Sequence, residues 1–375
     1  MILEERLSVR AFKMGRSIAV VSVIVLQLLS CVIAKDGMLP NGNFEIGPKP
    51  SDLKGTLIIG ENSLPNWRIK GIVEYIESSH KPGDVMVIVP RGTHAVRLGN
   101  DASIISQSVQ VKKGSHYSLS FHAARTCAQA ESLSISAMPV WGEISIQTIY
   151  SSNGWDAYAW GFQAPADSIE FVIHNPGVEE DPACGPVIDA VALKHFRVPR
   201  SPKPNLITNG DFEVGPYVFR NASSGVLIPP TREDEVSALP GWDVESPRPV
   251  KYVDAYHHHF VVPEGKAAVE LIAGKESAIG QTVITVPGKK YDLSFVVGDA
   301  GNQCKGELNV VAFAGNQTVE VPYQSQGKGG FKPATLSFTA ASDTTKIVFT
   351  RAFYTMRSDD GVTFCGPVVD QVTLN

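Results

Sequence analysis

The sequence predicts an all-β protein in which one jelly-roll sandwich is used twice. The first observation is an internal echo, and a missed repeat would mis-assign the whole fold. Asn41-Gly42-Asn43-Phe44-Glu45-Ile46-Gly47-Pro48 returns as Asn209-Gly210-Asp211-Phe212-Glu213-Val214-Gly215-Pro216. Leu64-Pro65-Asn66-Trp67 returns as Leu239-Pro240-Gly241-Trp242, and Ile105-Ser106-Gln107-Ser108-Val109 as Ile279-Gly280-Gln281-Thr282-Val283. Tyr117-Ser118-Leu119-Ser120-Phe121 returns as Tyr291-Asp292-Leu293-Ser294-Phe295, and Cys184-Gly185-Pro186-Val187-Ile188-Asp189 as Cys365-Gly366-Pro367-Val368-Val369-Asp370. The offset drifts from 168 to 181, which small loop insertions between preserved elements explain. The second observation is apolar alternation. Tyr117, Leu119 and Phe121 point one way with Ser118 and Ser120 between them, the two-residue period of a half-buried strand. The third is punctuation: Lys113-Gly114-Ser115, Asn153-Gly154, Pro287-Gly288-Lys289 and Gly327-Lys328-Gly329-Gly330 separate short strands, and neither copy has a convincing helix. About 165 residues per copy hold eight or more strands, enough for a jelly roll.

Taken in order, the chain opens with Arg10, Lys13 and Arg16, an apolar run from Ile18 to Leu29, and small residues around Ala34. That order is a secretory signal peptide, expected over residues 1–34. The first sandwich is expected over 35–196. Residues 197–204 hold three prolines and three basic residues, the pattern of a short semi-rigid linker. The second sandwich follows over 205–375. At 375 residues the chain is long enough for two domains that each bury a core.

After cleavage, 29 basic and 36 acidic residues remain, a net charge of −7. That balance gives no support to nucleic-acid binding, which calls for a clustered basic surface. The carboxyl end is neither a lipid-anchor signal nor a retention signal, so the mature chain is expected outside the cell and free of the membrane. Four cysteines then remain, an even count that suggests disulfides with three possible connectivities. The repeat equates Cys127 with Cys304 and Cys184 with Cys365, so equivalent domains close equivalent bridges: Cys127 with Cys184, and Cys304 with Cys365. Sequons at Asn221 and Asn316 both fall in the second copy.

The opening Asn-Gly-Asn/Asp-Phe-Glu, the middle Tyr-x-Leu-Ser-Phe and the closing Val-x-Asp-x-Val-x-Leu resemble galactose-binding-like jelly rolls, a fold of many carbohydrate-binding modules. With Leu-Pro-x-Trp and Cys-Gly-Pro-Val in both copies, the tandem resembles the plant cell-wall BIIDXI-type family, domain-of-unknown-function family 642. The resemblance covers essentially the whole mature chain. It implies a secreted wall protein that binds polysaccharide and wall partners, with pectin methylesterase among them. It also implies that the opening glutamate and closing aspartate of each copy, Glu45 with Asp189 and Glu213 with Asp370, hold a structural calcium. The alternative for these acids is a capped turn and a bonded backbone amide.

No catalytic pair is legible. A glycosidase needs two carboxylates flanking a cleft, and nothing in the sequence pairs two; no GxSxG nucleophile elbow occurs. His257-His258-His259 reads as an exposed strand end, since at most two of three consecutive strand residues share a face. Rings kept in both copies read as core: Trp67 with Trp242, Tyr75 with Tyr252, Trp155 with Phe331, Phe162 with Phe338. Rings present in one copy are the candidates for stacking on sugars: Trp141, Tyr158 and Trp160 in the first, Tyr256 and Tyr354 in the second. Tyr158 and Trp160 share a strand face and form the expected platform. Arg125 and Arg351 are candidates for pairing with a uronate carboxylate. The reading is thus a non-catalytic wall protein that needs no cofactor. The alternatives are a carbohydrate-active enzyme with an unrecognised site and a protein–protein adaptor that binds no sugar; the net charge suits a basic wall protein as partner.

Overall fold

The computed structural model describes residues 37–78, 88–128, 130–147, 149–177, 181, 184–197, 199–200, 203–219, 225–233, 235–257 and 259–375. The expected signal peptide, the Asn221 sequon and His258 lie outside the described residues. The chain is all-β, with two jelly-roll sandwiches of the galactose-binding-like type in tandem. In the first, Val73–Glu77, His94–Leu98, Val187–Phe196, His116–Ala124 and Trp155–Gln163 lie side by side in that order. They face a sheet ordered Val140–Ile146, Glu131–Ala137, Val172–His174, Ser103–Ser106, Trp67–Lys70. The second copy repeats the plan. Val250–Asp254, Ala267–Glu270, Pro367–Leu374, Lys290–Asp299 and Phe331–Thr339 face Gln317–Gln326, Lys305–Ala314, Thr344–Thr350, Ala278–Ile284 and Asp243–Val244.

The repeated words are a repeated clasp. Asn41 sits at positive φ and donates from Nδ2 to Ile46 O (2.9 Å) and Pro65 O (2.8 Å); Asn209 does the same to Val214 O (2.8 Å) and Pro240 O (2.9 Å). Trp67 Nε1 donates to Asn41 O at 3.1 Å, and Trp242 Nε1 to Asn209 O at 3.0 Å. These bonds let a buried indole satisfy its only polar group. Gly42 and Gly210 follow because a Cβ would stand 2.3 Å from Val191 O and 2.0 Å from Val372 O. The Tyr-x-Leu-Ser-Phe tyrosines pin the preceding turn: Tyr117 Oη accepts from Lys112 N (2.9 Å), and Tyr291 Oη from Val286 N (3.0 Å). Both expected disulfides are formed, Cys127–Cys184 and Cys304–Cys365.

The two copies are packed against each other. Residues 36–375 form one compact unit. The short strand Val226–Ile228 pairs with Val250–Asp254 on one side and, in parallel, with Trp155–Gln163 of the first copy through Tyr158 and Leu227. One 14-stranded sheet therefore runs through both sandwiches. The core of the second copy extends to Ala157, Ala159, Ala190 and Ala192 of the first. Ser118 and Ser120, expected to face water, are fully buried on the same face. Gly161 lies against the backbone of Val236–Ala238, where a Cβ would come within 2.4 to 2.5 Å of three backbone atoms. The sheet face that a lone sandwich would show to water is here a seam lined by small residues.

A ring-flanked cleft between the sandwiches

The seam opens into a cleft of about 480 Å³ lined from both copies. Glu143, Ile144, Ser145, Gln147, Tyr150 and Tyr158 come from the first, and Pro229, Pro230, Arg232, Pro247, Arg248, Pro249 and Glu276 from the second. Two ion pairs cross or edge it. Arg232 Nη2 donates to Glu143 Oε2 at 2.8 Å, joining the copies. Arg248 Nε donates to Glu276 Oε2 at 2.8 Å, while its Nη1 reaches Gln147 Oε1 of the first copy at 3.1 Å. Tyr158 forms part of the floor; its hydroxyl meets the backbone of Gln147, and burial first, then the Asp156 carboxylate, push it well above the ordinary tyrosine range.

Besides Tyr158 in the floor, two exposed one-copy rings stand beside this cleft, each in contact with a residue that lines it. Trp141 is 54% exposed, and the Arg232 guanidinium lies over it, 5.1 Å from the ring centroid. Tyr354 is 45% exposed and hydrogen-bonds through its hydroxyl to Glu276. Each ring is thus tied to the cleft through an arginine–glutamate pair. Tyr256 is exposed in a 3₁₀ turn at Ala255–His257. Arg125 is half-buried near Tyr158.

The other candidates are corrected. Tyr158 and Trp160 share a strand face, but that face looks inward: they are 1% and 3% exposed, and Trp160 stacks on Phe162 at 5.0 Å. The two-residue alternation holds, but the rings point into the first sandwich, because the small residues between them face the second. Arg351 is 1% exposed and donates from Nη1 to Leu271 O (3.0 Å) and Cys365 O (2.6 Å). Burial lowers its pKa to about 10. It is a buried staple beside the disulfide, out of reach of a uronate. Its counterpart Asn175 does the same work, donating to Leu98 O at 3.2 Å. Phe331, taken as core, is 54% exposed, while its partner in the repeat, Trp155, packs on His122 with ring centroids 4.5 Å apart.

The calcium pairs also resolve differently. Glu45 accepts from the amides of Thr93 (2.8 Å) and His94 (3.1 Å), and Asp189 from those of Arg91 (2.7 Å) and Ala190 (2.6 Å). In the second copy, Glu213 accepts from Lys266 N and Ala267 N, and Asp370 from Glu264 N and Gln371 N. The groups converging on these acids are mainly N–H donors, with the Thr93 hydroxyl also donating to Glu45, and their positive ends repel a cation that needs six to eight oxygens. Among the described residues no cluster of three or more His, Cys, Asp or Glu could hold a metal. The acids clip the chain ends together by hydrogen bonding instead. Burial raises Asp189 to about 8 and Asp370 to about 7.

One constellation escaped the sequence reading. Ser103 Oγ lies 2.9 Å from His174 Nδ1, and His174 Nε2 lies 3.6 Å from Asp101 Oδ1. The order is that of a nucleophile triad, but the burial is inverted. Ser103 is 5% exposed and the Asp101 side chain 82%. His174 Nδ1 also faces Ala102 O at 3.2 Å. A nucleophile must meet substrate, so this arrangement has the geometry of a strand-end hydrogen bond. No local motif announces it, since the residues lie some seventy positions apart.

Two jelly rolls fused through one sheet, with a polar cleft flanked by rings at their junction, define a tandem galactose-binding-like protein. The family model described as "Protein of unknown function (DUF642)" matches residues 37–194 and 205–375, and the chain belongs to that family. It is similar to the Arabidopsis thaliana protein DUF642 L-galactono-1,4-lactone-responsive gene 2, 57% identical over 363 residues that span 95% of this chain and 98% of the relative. It is also similar to the Arabidopsis thaliana protein TEEBE, 51% identical over 339 residues, 90% of this chain and 91% of the relative. Among solved structures, the tandem CBM22-1-CBM22-2 domain of Paenibacillus barcinonensis Xyn10C matches with TM-score 0.27 and 11% identity, covering 92% of this chain and 99% of that one. TmCBM61 in complex with β-1,4-galactotriose matches with TM-score 0.26 and 16% identity, covering 43% and 100%. At those scores the two structures carry no weight for function. Among the described residues, no helix is long and apolar enough to cross a membrane.

Proposed function

We propose that this is a secreted, non-catalytic cell-wall protein that binds polysaccharide in the cleft between its sandwiches. Domains 35–196 and 205–375 act as one body in this reading, with 197–204 as a tether. The observation that carries it is the placement of Trp141 and Tyr354. Both are exposed rings present in one copy only, and each touches a charged residue, Arg232 or Glu276, that lines a cleft built from the two copies. Rings that stack on pyranose faces beside polar groups that bond hydroxyls are what a sugar site requires. Binding is weak, because an open cleft buries only part of a hydrated chain. Incubation with pectin, xylan and cellulose leaves reducing ends unchanged, while a glycan array with the mature protein detects retention that Trp141→Ala lowers. Sustained release of reducing ends would make the protein an enzyme. Retention unchanged in Trp141→Ala would move the site away from the cleft.

A protein partner is the second reading, and a different observation favours it. Phe353, Met356 and Val362 stand exposed between Thr344–Thr350 and Cys365. Apolar side chains held in water beside a groove mark interaction surfaces. The family resemblance implies pectin methylesterase as a partner, and the chain's net charge favours a basic enzyme over an acidic one. Co-precipitation with a basic pectin methylesterase, lost on Met356→Asp with Val362→Asp, supports it; undiminished co-precipitation removes that surface. Asn316, exposed in the turn between Lys305–Ala314 and Gln317–Gln326, is in this reading a glycan carrier on the far side of the second sheet's own hairpin.

A further inference from the structure

The cleft contains two arginines, and a basic groove would ordinarily be read as a site for acidic sugars. The geometry points to the opposite: we infer that the cleft selects neutral, hydroxyl-bearing sugar chains and discriminates against polyuronates. This inference rests on the cleft being the ligand site. Its charged lining is two guanidiniums, Arg232 and Arg248, against two carboxylates, Glu143 and Glu276. Each arginine is already engaged by its glutamate at 2.8 Å. A uronate entering the cleft must displace one carboxylate to pair with the same guanidinium. It exchanges one ion pair for another and leaves the displaced glutamate beside the incoming anion.

The rest of the lining gives a carboxylate little. Anion sites are built from converging backbone amides. Here Pro229, Pro230, Pro247 and Pro249 supply apolar surface and no N–H at all. A hydroxyl fits the same groups without exchange, because it can donate to a carboxylate and accept from a guanidinium at once. Both ion pairs are made through a single carboxylate oxygen, Oε2, so the second oxygen of each glutamate can receive that donor. Gln147, Ser145 and the Tyr150 hydroxyl add neutral partners from the first copy. The net charge of the mature chain acts in the same direction at long range, repelling a polyanion before it docks.

The test uses the full mature protein, neutral hexasaccharides (cello-, xylo- and galacto-) and hexagalacturonate, by calorimetry at low and at near-physiological salt. At least one neutral oligosaccharide binds more tightly than hexagalacturonate, and its affinity changes less than about twofold with salt. Glu143→Gln and Glu276→Gln each weaken the neutral ligand by roughly three- to tenfold, through loss of a charge-assisted acceptor. The same substitutions strengthen whatever hexagalacturonate binding exists, because they release an arginine. Tighter, salt-sensitive binding of hexagalacturonate to the wild type overturns the inference, as does neutral binding that both glutamine variants leave unchanged. Trp141→Ala separates the two levels. If it abolishes binding while uronate remains the preferred ligand, the cleft is the site and only the selectivity is wrong. If neither Trp141→Ala nor the glutamine variants alter binding, or no sugar binds, both fall together.

Discussion

Adding one methyl group at Gly161 should separate the two sandwiches. Its hypothetical Cβ would stand 2.4 Å from Val236 O, 2.5 Å from Ala238 N and 2.5 Å from the Ser237 carbonyl carbon. Ordinary contacts to carbon lie near 3.5 Å or beyond, so the seam must open by about 1 Å. All three neighbours are backbone, and no rotamer change can relieve them. Overpacking that side chains can partly absorb costs about 1–3 kcal/mol; with a rigid wall, Gly161→Ala falls at the upper end, about 3 kcal/mol. For a unit of about 340 residues that lowers the melting temperature by about 4 °C. If the seam parts completely, the single calorimetric transition splits in two. Ser337 is the control. It occupies the equivalent position of the second copy, exposed, with its hydroxyl on Asp292. Ser337→Ala shifts the transition by no more than about 1 °C, as an exposed substitution should. Should Gly161→Ala melt within about 1 °C of the wild type as one transition, the continuous sheet is not what holds the sandwiches together in solution.

Three further outcomes follow from the same structure. Replacing Cys304 and Cys365 by serine, which frees a loop of 61 residues, destabilises by about 4 kcal/mol in the chain-entropy model, read from the denaturant midpoint. Chelators leave the melting temperature unchanged, since Glu45, Asp189, Glu213 and Asp370 are held by backbone amides; a fall restored by added calcium would reinstate the metal. Stability rises as pH falls from about 8 towards 5: burial raises Asp156 to about 7, Asp189 to about 8 and Asp370 to about 7, so the folded chain holds protons that the unfolded chain has lost. His122, lowered to about 3 by burial and then by Arg91, opposes this below its unfolded value near 6.5, but it is one group against three. Asp156→Asn flattens the slope, and a melting temperature independent of pH across that window would show these acids to be ionised in the folded chain.

The fold was legible because the repeat marks it at points where geometry admits few residues. Asn41 and Asn209, Gly42 and Gly210, Trp67 and Trp242 sit where a backbone must turn, approach or be capped, and such positions keep their letters. Register between these points was less secure. Aligning the words equates Ile105 with Ile279, whereas pairing with the strand after the tryptophan equates Ile104 with Ile279, through Ile69 and Val244. A one-residue slip turns a strand over. The rings failed for a related reason. Period two says that Tyr158 and Trp160 share a side, but it does not say which side water is on. The missing signal was present in the letters between them. Ser118, Ser120, His122, Ala157, Ala159 and Gly161 in the first copy stand against Asp292, Ser294, Val296, Pro333, Thr335 and Ser337 in the second. Small or unpaired-looking residues in one copy against polar or larger ones in the other mark the covered face. Arg351 was beyond reach, because a buried guanidinium and a surface one have the same letter.

The same differences between the copies favour the proposed ligand site between them. Where the repeats kept identical residues, those residues are spent on clasps and disulfides. Where they diverged in compensating fashion, they serve the packing. Glu74 pairs with Arg97 in the first copy, and the equivalent neighbours in the second are Lys251 and Glu270, the charges exchanged. Lys251 also donates to Tyr150 O of the first copy at 3.2 Å, so the exchanged lysine serves the seam as well. What remains unexplained by clasp or packing is what neither copy repeats and water still reaches: Trp141 with Arg232 and Glu143, Tyr354 with Glu276 and Arg248. Both sets meet a cleft whose walls come from both sandwiches. A duplicated module that bound its ligand on each copy separately would retain matching exposed rings. Here the matched rings are largely buried and the main exposed ones are unmatched, which fits the proposed site at the junction; on that proposal, a single sandwich expressed alone lacks one wall of the site.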